Sequence, residues 1–306
     1  MNILHMKYAV EVAKAGSLNK ASEKLFVALP NISRSIKELE NDLGITIFER
    51  SARGVSLTPE GGEFISYAKD ILKQIDHVEN LYKGSGANKQ KFSISVPRAS
   101  YIAEAFVAFS KELSADPAEI FYKETNSERT INNILNRDYN LGIIRYAENY
   151  EKFFTAMLEE KGLSFEILTE FSYTLIMSKE NKLSKMDEVH FDDLEGLIEI
   201  AHADPYVPSL PLAKVIKEEL PDNIERRIFI FERASQFDLL SRNSETFMWV
   251  SPTPEAVLDT YGLVQKKCVD NKKIYKDVLI YKNGYRLSSL DRKFIAALTD
   301  SINKHI

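Results

Sequence analysis

The chain is poor in the residues that build disulfide frameworks, metal centres and membrane spans. Its single cysteine, Cys268, excludes an intrachain disulfide and suits a reducing cytosol, so we expect a structural thiol there. Five histidines and that cysteine form no cluster at zinc-ligand spacing, and no metal is expected. The longest apolar runs fall far short of the about 20 residues that a membrane helix needs, which predicts no membrane partner. The N-terminus has no signal-peptide pattern, and a cytoplasmic protein is expected.

Sequence motifs for catalysis are also missing. The chain has no Gly-x-Ser-x-Gly elbow, no phosphate-cradling glycine loop and no Gly-x-Gly-x-x-Gly run. Paired carboxylates such as Asp192-Asp193 and Glu218-Glu219 lie in polar stretches, and a chain with 45 acidic residues contains such pairs by chance. We therefore expect no enzyme activity and no cofactor.

The length and the charge distribution describe a multidomain protein with a slightly basic head. With 306 residues and 44% hydrophobic content, the chain is long enough for two or three domains with a real core. Residues 1–58 carry eight basic and six acidic side chains, a net charge of +2, and the whole chain carries −5, which leaves −7 for the remainder. This asymmetry has the sign expected of a DNA-binding head on an acidic body, although two charges are weak support.

Residues 17–43 predict two short helices joined by a tight apolar turn. Apolar residues recur at helical spacing along one face of each helix: Leu18, Ala21 and Leu25, then Ile32, Ile36, Leu39 and Leu43. The opposite stripe of the second helix is polar and holds Asn31, Arg34, Ser35 and Glu38. This is the helix-turn-helix layout that enters a major groove. An ordinary helical hairpin with a solvated polar face has the same spacing.

The flanking sequence completes a larger pattern. An amphipathic helix precedes the pair, and two short strands follow it around the turn Ala52-Arg53-Gly54, a wing whose Arg50 and Arg53 can meet phosphates. Together these residues resemble the LysR-type transcriptional regulators, a family with an N-terminal winged helix-turn-helix. The matching marks, in order, are the helix at Ser17–Leu25, Pro30 with Ser33-Arg34, Leu39-Glu40, Leu43-Gly44, Ile47-Phe48-Glu49-Arg50, and Leu57-Thr58 with Gly61.

The resemblance implies binding of double-stranded operator DNA and contact with RNA polymerase. The DNA-binding residues that it implies are Ser17, Asn19, Leu29, Pro30, Asn31, Ser33, Arg34, Ser35, Lys37, Arg50 and Arg53. One departure matters, because the family usually has Ser-Gln where this chain has Ala28-Leu29. The missing serine cap should cost about 1 kcal/mol. Leu29 can make only apolar contact with a base, for instance with a thymine methyl, so operator preference should differ from the family norm.

Residues 59–83 predict one long helix with a 4-3 apolar alternation. Its seam consists of Phe64, Ala68, Ile71, Ile75, Val78 and Tyr82. Such a seam is typical of a coiled coil, and a helix of this size would be about 37 Å long. The stripe can pack on its own domain or against the same helix of another subunit. The resemblance favours the second arrangement, in a homodimer or homotetramer, and the glycine-containing segment 84–90 predicts a flexible hinge.

Beyond the hinge the pattern alternates between strands and helices, which predicts mainly parallel sheets covered by helices. Two such lobes resemble the periplasmic-binding-protein-like effector domain of the LysR-type family. The predicted strands are 92–96, 120–124, 141–144, 173–177, 197–200, 228–231, 247–250 and 274–281, and the predicted helices are 100–113, 128–135, 210–220, 234–240, 254–261 and 288–306. The predicted domains are 1–58 for DNA binding, 59–90 for the linker helix and hinge, 91–161 plus 268–306 for the first lobe, and 162–267 for the second.

Polar side chains at the carboxyl ends of these strands predict a ligand site between the lobes. The candidates are Arg98, Ser100, Tyr101, Thr125, Ser127, Arg145, Tyr146, His202 and Ser251. Ser100 begins a helix beside free backbone amides, and Arg98 or Arg145 can add a charge-assisted bond, so we expect a small organic acid or similar polar metabolite. Salt bridges for the arginines, a structural role for His202 and simple packing between the lobes remain open.

Two functions therefore compete at this point. The first is a LysR-type transcriptional regulator, controlled by a small-molecule effector of unknown identity between two lobes. The second is a two-lobed ligand-binding or enzyme-like protein whose N-terminal helices contact another protein. The resemblance favours the first.

Overall fold

The computed structural model describes residues 2–51, 54–82, 89–202 and 224–306. Arg53 of the predicted wing, residues 84–88 of the predicted hinge and the predicted helix 210–220 lie outside these ranges. The chain forms two compact units, Met1–Asn88 and Lys89–Ile306.

The first unit is a helical bundle with a two-stranded wing. Its elements are α1 (Ile3–Ala15), α2 (Leu18–Leu25), α3 (Leu29–Leu43), β1 (Phe48–Ser51), β2 (Gly54–Leu57) and α4 (Pro59–Tyr82). The apolar faces of these helices meet in one core, in which Ala21, Ile32 and Leu39 have no exposed surface. Gly16 ends α1 in the left-handed conformation, which a glycine adopts without strain.

Polar residues of the predicted pattern fix the wing to the helices. The Glu40 carboxylate accepts hydrogen bonds from the backbone amides of Ile47, at 2.7 Å, and Phe48, at 3.1 Å. Thr58 caps the start of α4, since its Oγ1 accepts from the Gly61 amide at 2.8 Å. Gly61 approaches the Ile47 carbonyl so closely that a Cβ there would lie 2.1 Å from its oxygen. Glu40, Thr58 and Gly61 therefore stabilise the fold of the first unit, whether or not a ligand is bound.

The N-terminal half of the predicted dimer seam packs inside its own unit. Ala68 is completely buried, and Phe64 and Ile71 pack against the same core as α1 and α3. Ala68 is therefore closed to a subunit contact, because the first turns of α4 complete the small core of the helix-turn-helix. Phe64 and Ile71 keep some exposed surface, so the seam stays a prediction for them. Ile75 is partly exposed. The side chains of Val78 and Tyr82 lie outside the described set.

The second unit contains two five-stranded sheets. Its elements are β3 (Gln90–Val96), α5 (Ser100–Ser110), β4 (Ala118–Glu124), α6 (Ser127–Leu135), β5 (Leu141–Ala147), α7 (Glu151–Glu160), β6 (Leu163–Phe171), β7 (Thr174–Ser178), β8 (Ile198–His202), β9 (Arg226–Ile230), α8 (Arg233–Arg242), β10 (Thr246–Val250), α9 (Glu255–Tyr261), β11 (Leu263–Lys266), β12 (Tyr275–Lys282) and α10 (Ser289–His305). The first sheet has the order β4-β3-β5-β12-β6, and the second has the order β11-β7-β10-β8-β9. We call each sheet with its helices a lobe.

Both sheets are mixed, which corrects the expectation of mainly parallel pairing. In the first sheet β3 pairs in parallel with β4 and β5, but β12 is antiparallel to both β5 and β6. The reason is that β12 returns from the second lobe and inserts between two strands that run the other way. In the second sheet β7 is antiparallel to β10 and β11.

The chain also leaves the first lobe later than the sequence suggested. Because β6 pairs with β12 in the first sheet, the crossing follows Phe171 rather than residue 162. Strand β6, helix α7 and strand β11 were not predicted. The first-lobe core lies between β3 and the helices α5 and α10, where Phe92 contacts the rings of Phe109 and Phe294.

Candidate nucleic-acid interface and ligand cavity

Helix α3 buries one face and presents the other to solvent. Ile32, Ile36 and Leu39 are buried, whereas Leu29, Pro30, Asn31, Arg34 and Lys37 are exposed, and Ser33 and Ser35 are half-buried. Ala28 precedes α3 without a side-chain cap, as the sequence predicted. The predicted DNA-binding residues of α3 thus share the solvent side of one rigid helix.

A shallow depression runs along this exposed face. It is lined by Pro30, Ser33, Arg34, Lys37, Glu38 and Asn41. The Arg34 side chain is 82% exposed, and its Nε lies 3.6 Å from Glu38 Oε1, one helical turn away. Glu38 also faces His5 of α1, with 3.7 Å between Oε2 and Nε2. Arg34 is therefore held loosely at the surface, where a phosphate or a base edge can reach it.

The remaining predicted interface residues differ in their roles. Ser17 caps α2, since its hydroxyl accepts from the Lys20 amide at 3.4 Å, and Asn19 is exposed on that helix. The Arg50 side chain, like Arg53, lies outside the described set.

Sequence reasoning missed Phe26, whose ring is 96% exposed in the turn between α2 and α3, at a backbone φ of +53°. An aromatic residue at a turn is read from sequence as core, so no signal marked it.

The second unit contains a cavity of about 70 Å³ between its lobes. It is lined by Pro97, Arg98, Ala99, Ser100, Thr125, Asn126, Ser127, Arg145, Tyr173, His202, Arg233, Gln236, Met248, Trp249, Val250, Ser251 and Thr253. Seven of the nine predicted residues line it, because the strand ends of both lobes meet there. The first residues of three helices also border it, namely Ser100 of α5, Ser127 of α6 and Arg233 of α8.

The other two predicted residues, Tyr101 and Tyr146, do not line the cavity. The fully buried Tyr101 hydroxyl donates to Asp277, and burial raises the pKa of Tyr101 well above its ordinary value. Tyr146 stacks on Phe154 with 4.6 Å between the ring centroids. It follows Arg145 in β5, and successive side chains of a strand point to opposite faces of the sheet. The apolar wall is made instead by Tyr173, Met248, Trp249 and Val250.

Arg145 is a buried structural cation rather than an open charge. Its Nε and Nη2 donate to the two carboxylate oxygens of Asp277, each at 2.7 Å, and its guanidinium lies 4.7 Å from the centre of the Phe171 ring. The Ser127 hydroxyl donates to the Arg145 carbonyl at 2.8 Å. This salt bridge is buried within the first lobe, rather than at the surface or between the lobes, and the contact of Arg145 with a ligand stays a prediction.

Arg233 is the main cavity residue that sequence reasoning missed. From the start of α8 in the second lobe, its Nη1 donates to Glu124 Oε1 and its Nη2 to the Ser100 hydroxyl of the first lobe, both at 2.8 Å. Arg98 also spans the lobes, donating to the Phe231 carbonyl at 2.9 Å. The signal was present, since Arg233 follows β9 at the same sheet edge as the predicted residues.

The charged side chains of the cavity wall are basic, and two of them are paired with carboxylates behind the wall, Arg145 with Asp277 and Arg233 with Glu124. Three arginines and one histidine line the cavity, and among the described residues no aspartate or glutamate does. The described residues also contain no group of three metal-ligating side chains. In the ranges that the structure describes, no helix is both long and apolar enough to cross a membrane.

Comparison with known proteins matches the N-terminal unit at the sequence level. Residues 3–62 match the sequence model of the bacterial regulatory helix-turn-helix proteins of the lysR family. The uncharacterised HTH-type transcriptional regulator YcgK of Bacillus subtilis is 42% identical over 98 residues, which are 32% of this chain and 30% of that protein. The matched segment thus spans less than a third of that relative.

Solved structures match nearly the whole chain at low identity. A full-length OxyR variant from Pseudomonas aeruginosa superposes with a TM-score of 0.63 and 15% identity, over 100% of this chain and 95% of that one. CbnR in complex with its target DNA gives a TM-score of 0.57 and 16% identity, over 98% and 100%. Both likenesses concern the fold, and they confirm the predicted order of a winged helix-turn-helix, a long helix and two α/β lobes. Residues 3–62 thus match the helix-turn-helix of the lysR family, and the whole chain shares the fold of full-length OxyR and CbnR.

Proposed function

We propose that this protein is a sequence-specific DNA-binding transcriptional regulator, controlled by a small anionic ligand in the cavity between its lobes. The observation that carries the proposal is the exposed polar face of α3, with Arg34 free of any buried partner and the apolar face locked in the core. A recognition helix reads the major groove in this way. CbnR, of the same fold, has been solved with its target DNA, which supports a similar role here.

The ligand half of the proposal is supported by the charge of the cavity wall. Donors outnumber acceptors there, and the starts of α5, α6 and α8 add backbone amides. A volume of about 70 Å³ suits a small organic acid. The ligand acts by favouring one arrangement of the lobes, which requires different affinities for the two arrangements.

We further propose a homodimer or homotetramer that binds two half-sites and contacts RNA polymerase. Two half-sites double the set of DNA contacts. Ala68 is buried in its own unit, whereas Phe64, Ile71 and Ile75 keep exposed surface, and Ile75 does not belong to the core of that unit. Sedimentation of the Ile75→Lys variant should show a smaller species than the parent chain. An unchanged mass would remove Ile75 from the subunit contact.

A gel-shift titration tests DNA binding. Duplex DNA flanking the gene should bind selectively, and the affinity should fall steeply as salt rises, because phosphate contacts release counterions. The control is a duplex of the same length and scrambled sequence. Absence of binding to any duplex would refute the DNA function and favour a protein partner for the N-terminal helices.

A thermal-shift screen with a panel of metabolite acids tests the ligand. A ligand present at a hundred times its dissociation constant should stabilise the protein by about 2.7 kcal/mol. Neutral amide analogues of the same acids serve as controls, since the cavity wall is rich in cations. Equal stabilisation by acids and amides would contradict an anion site.

A further inference from the structure

Arg233 joins the two lobes through acceptors of two different kinds. Its backbone lies at the start of α8 in the second lobe, while Glu124 and Ser100 lie at the end of β4 and the start of α5 in the first. One arm of the guanidinium donates to a carboxylate oxygen of Glu124 and the other to the Ser100 hydroxyl. The two N–H groups of Arg233 could donate together to one carboxylate, but here they donate to two different residues.

Only part of this arrangement lies at the cavity. Arg233 and Ser100 line it, whereas Glu124 does not. A carboxylate that enters the cavity therefore approaches Arg233 on the Ser100 side, and it can offer two oxygens where Glu124 now offers one. Arg233 would keep a charged partner throughout this exchange, so the guanidinium is never left unpaired.

The burial of the pair suits an exchangeable contact. The side chains of Arg233 and Glu124 are 17% and 20% exposed, whereas those of Arg145 and Asp277 are 6% and 1% exposed. Breaking a deeply buried pair leaves an uncompensated charge, whereas a separated partner that reaches solvent is partly hydrated, so exchange of the Arg233–Glu124 pair costs less than loss of the Arg145–Asp277 pair.

We propose that Arg233 is the residue that recognises the ligand's carboxylate, and that Glu124 occupies it in the absence of ligand as an internal competitor. This inference rests on the proposed function, since it names the ligand class and the control of the same cavity. It follows that ligand binding removes one ion pair between the lobes. Without ligand, the Arg233–Glu124 ion pair connects the two lobes. With ligand bound, the contact between Arg233 and the ligand's carboxylate replaces this ion pair.

The chain contains its own reporter for this exchange. Trp249 is the single tryptophan and lines the cavity. Its buried indole N–H has no hydrogen-bond acceptor among the described residues. Tryptophan emission therefore follows occupancy of the cavity in the full-length protein, without a label.

The test titrates acetate, a small carboxylate probe, against acetamide, its neutral isostere, at constant ionic strength. Glu124→Gln removes the competitor and keeps the shape, so acetate should bind about tenfold more tightly than it binds the parent chain. Acetamide binding should not change. Arg233→Gln should weaken acetate binding by at least about tenfold, and Arg233→Lys, which keeps the charge without the planar donor pair, should lie between.

Arg98→Gln is the matched control, because Arg98 lines the same cavity but donates to the Phe231 backbone carbonyl. In that background the gain from Glu124→Gln should persist. Equal acetate affinity in the parent chain and the Glu124→Gln variant would overturn the inference, and so would a folded Glu124→Gln variant that binds no acetate. If acids from the metabolite panel stabilise Arg233→Gln as well as the parent, the ligand site stands and Arg233 is not its anchor. If no acid stabilises the parent chain, the proposed ligand function itself is wrong, and this outcome is distinct from the failure of the Arg233 inference.

Discussion

The arginine of helix α3 and the arginines of the cavity have opposite environments. On α3, Arg34 is 82% exposed and has one loose partner on its own helix. At the cavity, Arg145 and Arg233 are held by carboxylates and hydroxyls at 2.7 to 2.8 Å. A charge meant for a long polyanion must remain available, whereas a charge beside a small cavity must be compensated before the ligand arrives. This difference agrees with the proposed function, in which α3 contacts DNA and the cavity binds a small anion.

The largest effect should come from breaking the buried pair. Arg145→Ala leaves Asp277, which has no exposed surface, without its bidentate partner. Removing one member of a buried ion pair typically costs about 3–5 kcal/mol of unfolding free energy. Urea denaturation followed by Trp249 emission measures the loss. Arg145→Lys keeps the charge and should lose less, and a loss below about 1 kcal/mol for the alanine variant would show that the pair is dispensable.

A second buried carboxylate makes stability depend on pH. Burial raises the pKa of Glu199 to about 7, although Arg227 Nε lies 3.0 Å from its carboxylate. A group with a raised native pKa binds more protons when folded, so stability should fall as pH rises from about 4.5 to 7, by about 3 kcal/mol. Glu199→Gln should flatten this part of the stability profile. Glu166→Gln, at an exposed strand position, is the control, and an unchanged profile in Glu199→Gln would rule out this assignment.

The exposed arginine should affect binding and leave folding intact. Arg34→Ala should weaken operator binding by about 1–3 kcal/mol, the value of one base or phosphate contact. Arg242 provides a close match in the second unit, because it is also 82% exposed and pairs one turn away with Asp238, at 3.4 Å. Arg242→Ala should leave operator affinity unchanged. Gel shifts measure the operator affinity of both variants. If the Arg34→Ala and Arg242→Ala variants bind the operator equally well, α3 is not the surface that contacts DNA.

Residue patterns predicted the fold and much of the cavity, because both follow from periodicity. The helices of the first unit have clear apolar faces, and Ser100, Ser127 and Ser251 line the cavity since strand ends share one sheet edge. The failures have a physical cause as well. Alternation along β5 puts Arg145 and Tyr146 on opposite faces of the sheet, but it does not show which of the two faces the cavity.

Two further features could not be predicted, because they depend on tertiary contacts. The insertion of β12 between β5 and β6 joins segments more than a hundred residues apart, which no local pattern records. The position of Arg233 after β9 could be read from the sequence, but its hydrogen bonds to Glu124 and Ser100 of the other lobe could not. Pairings between lobes depend on the folded chain, so only the structure shows them.

The smallest expected effect concerns the missing cap of α3. Ala28 holds the N-cap position in an extended conformation and gives no side-chain hydrogen bond, whereas Ser17 caps the neighbouring α2. Ala28→Ser should therefore stabilise the first unit by about 1 kcal/mol, and Ser17→Ala should destabilise it by a similar amount. Thermal unfolding of the two variants measures both changes. If Ala28→Ser gives no gain while Ser17→Ala gives the expected loss, the turn before α3 does not admit a cap. The departure from Ser-Gln would then reflect the backbone of this turn rather than the choice of operator.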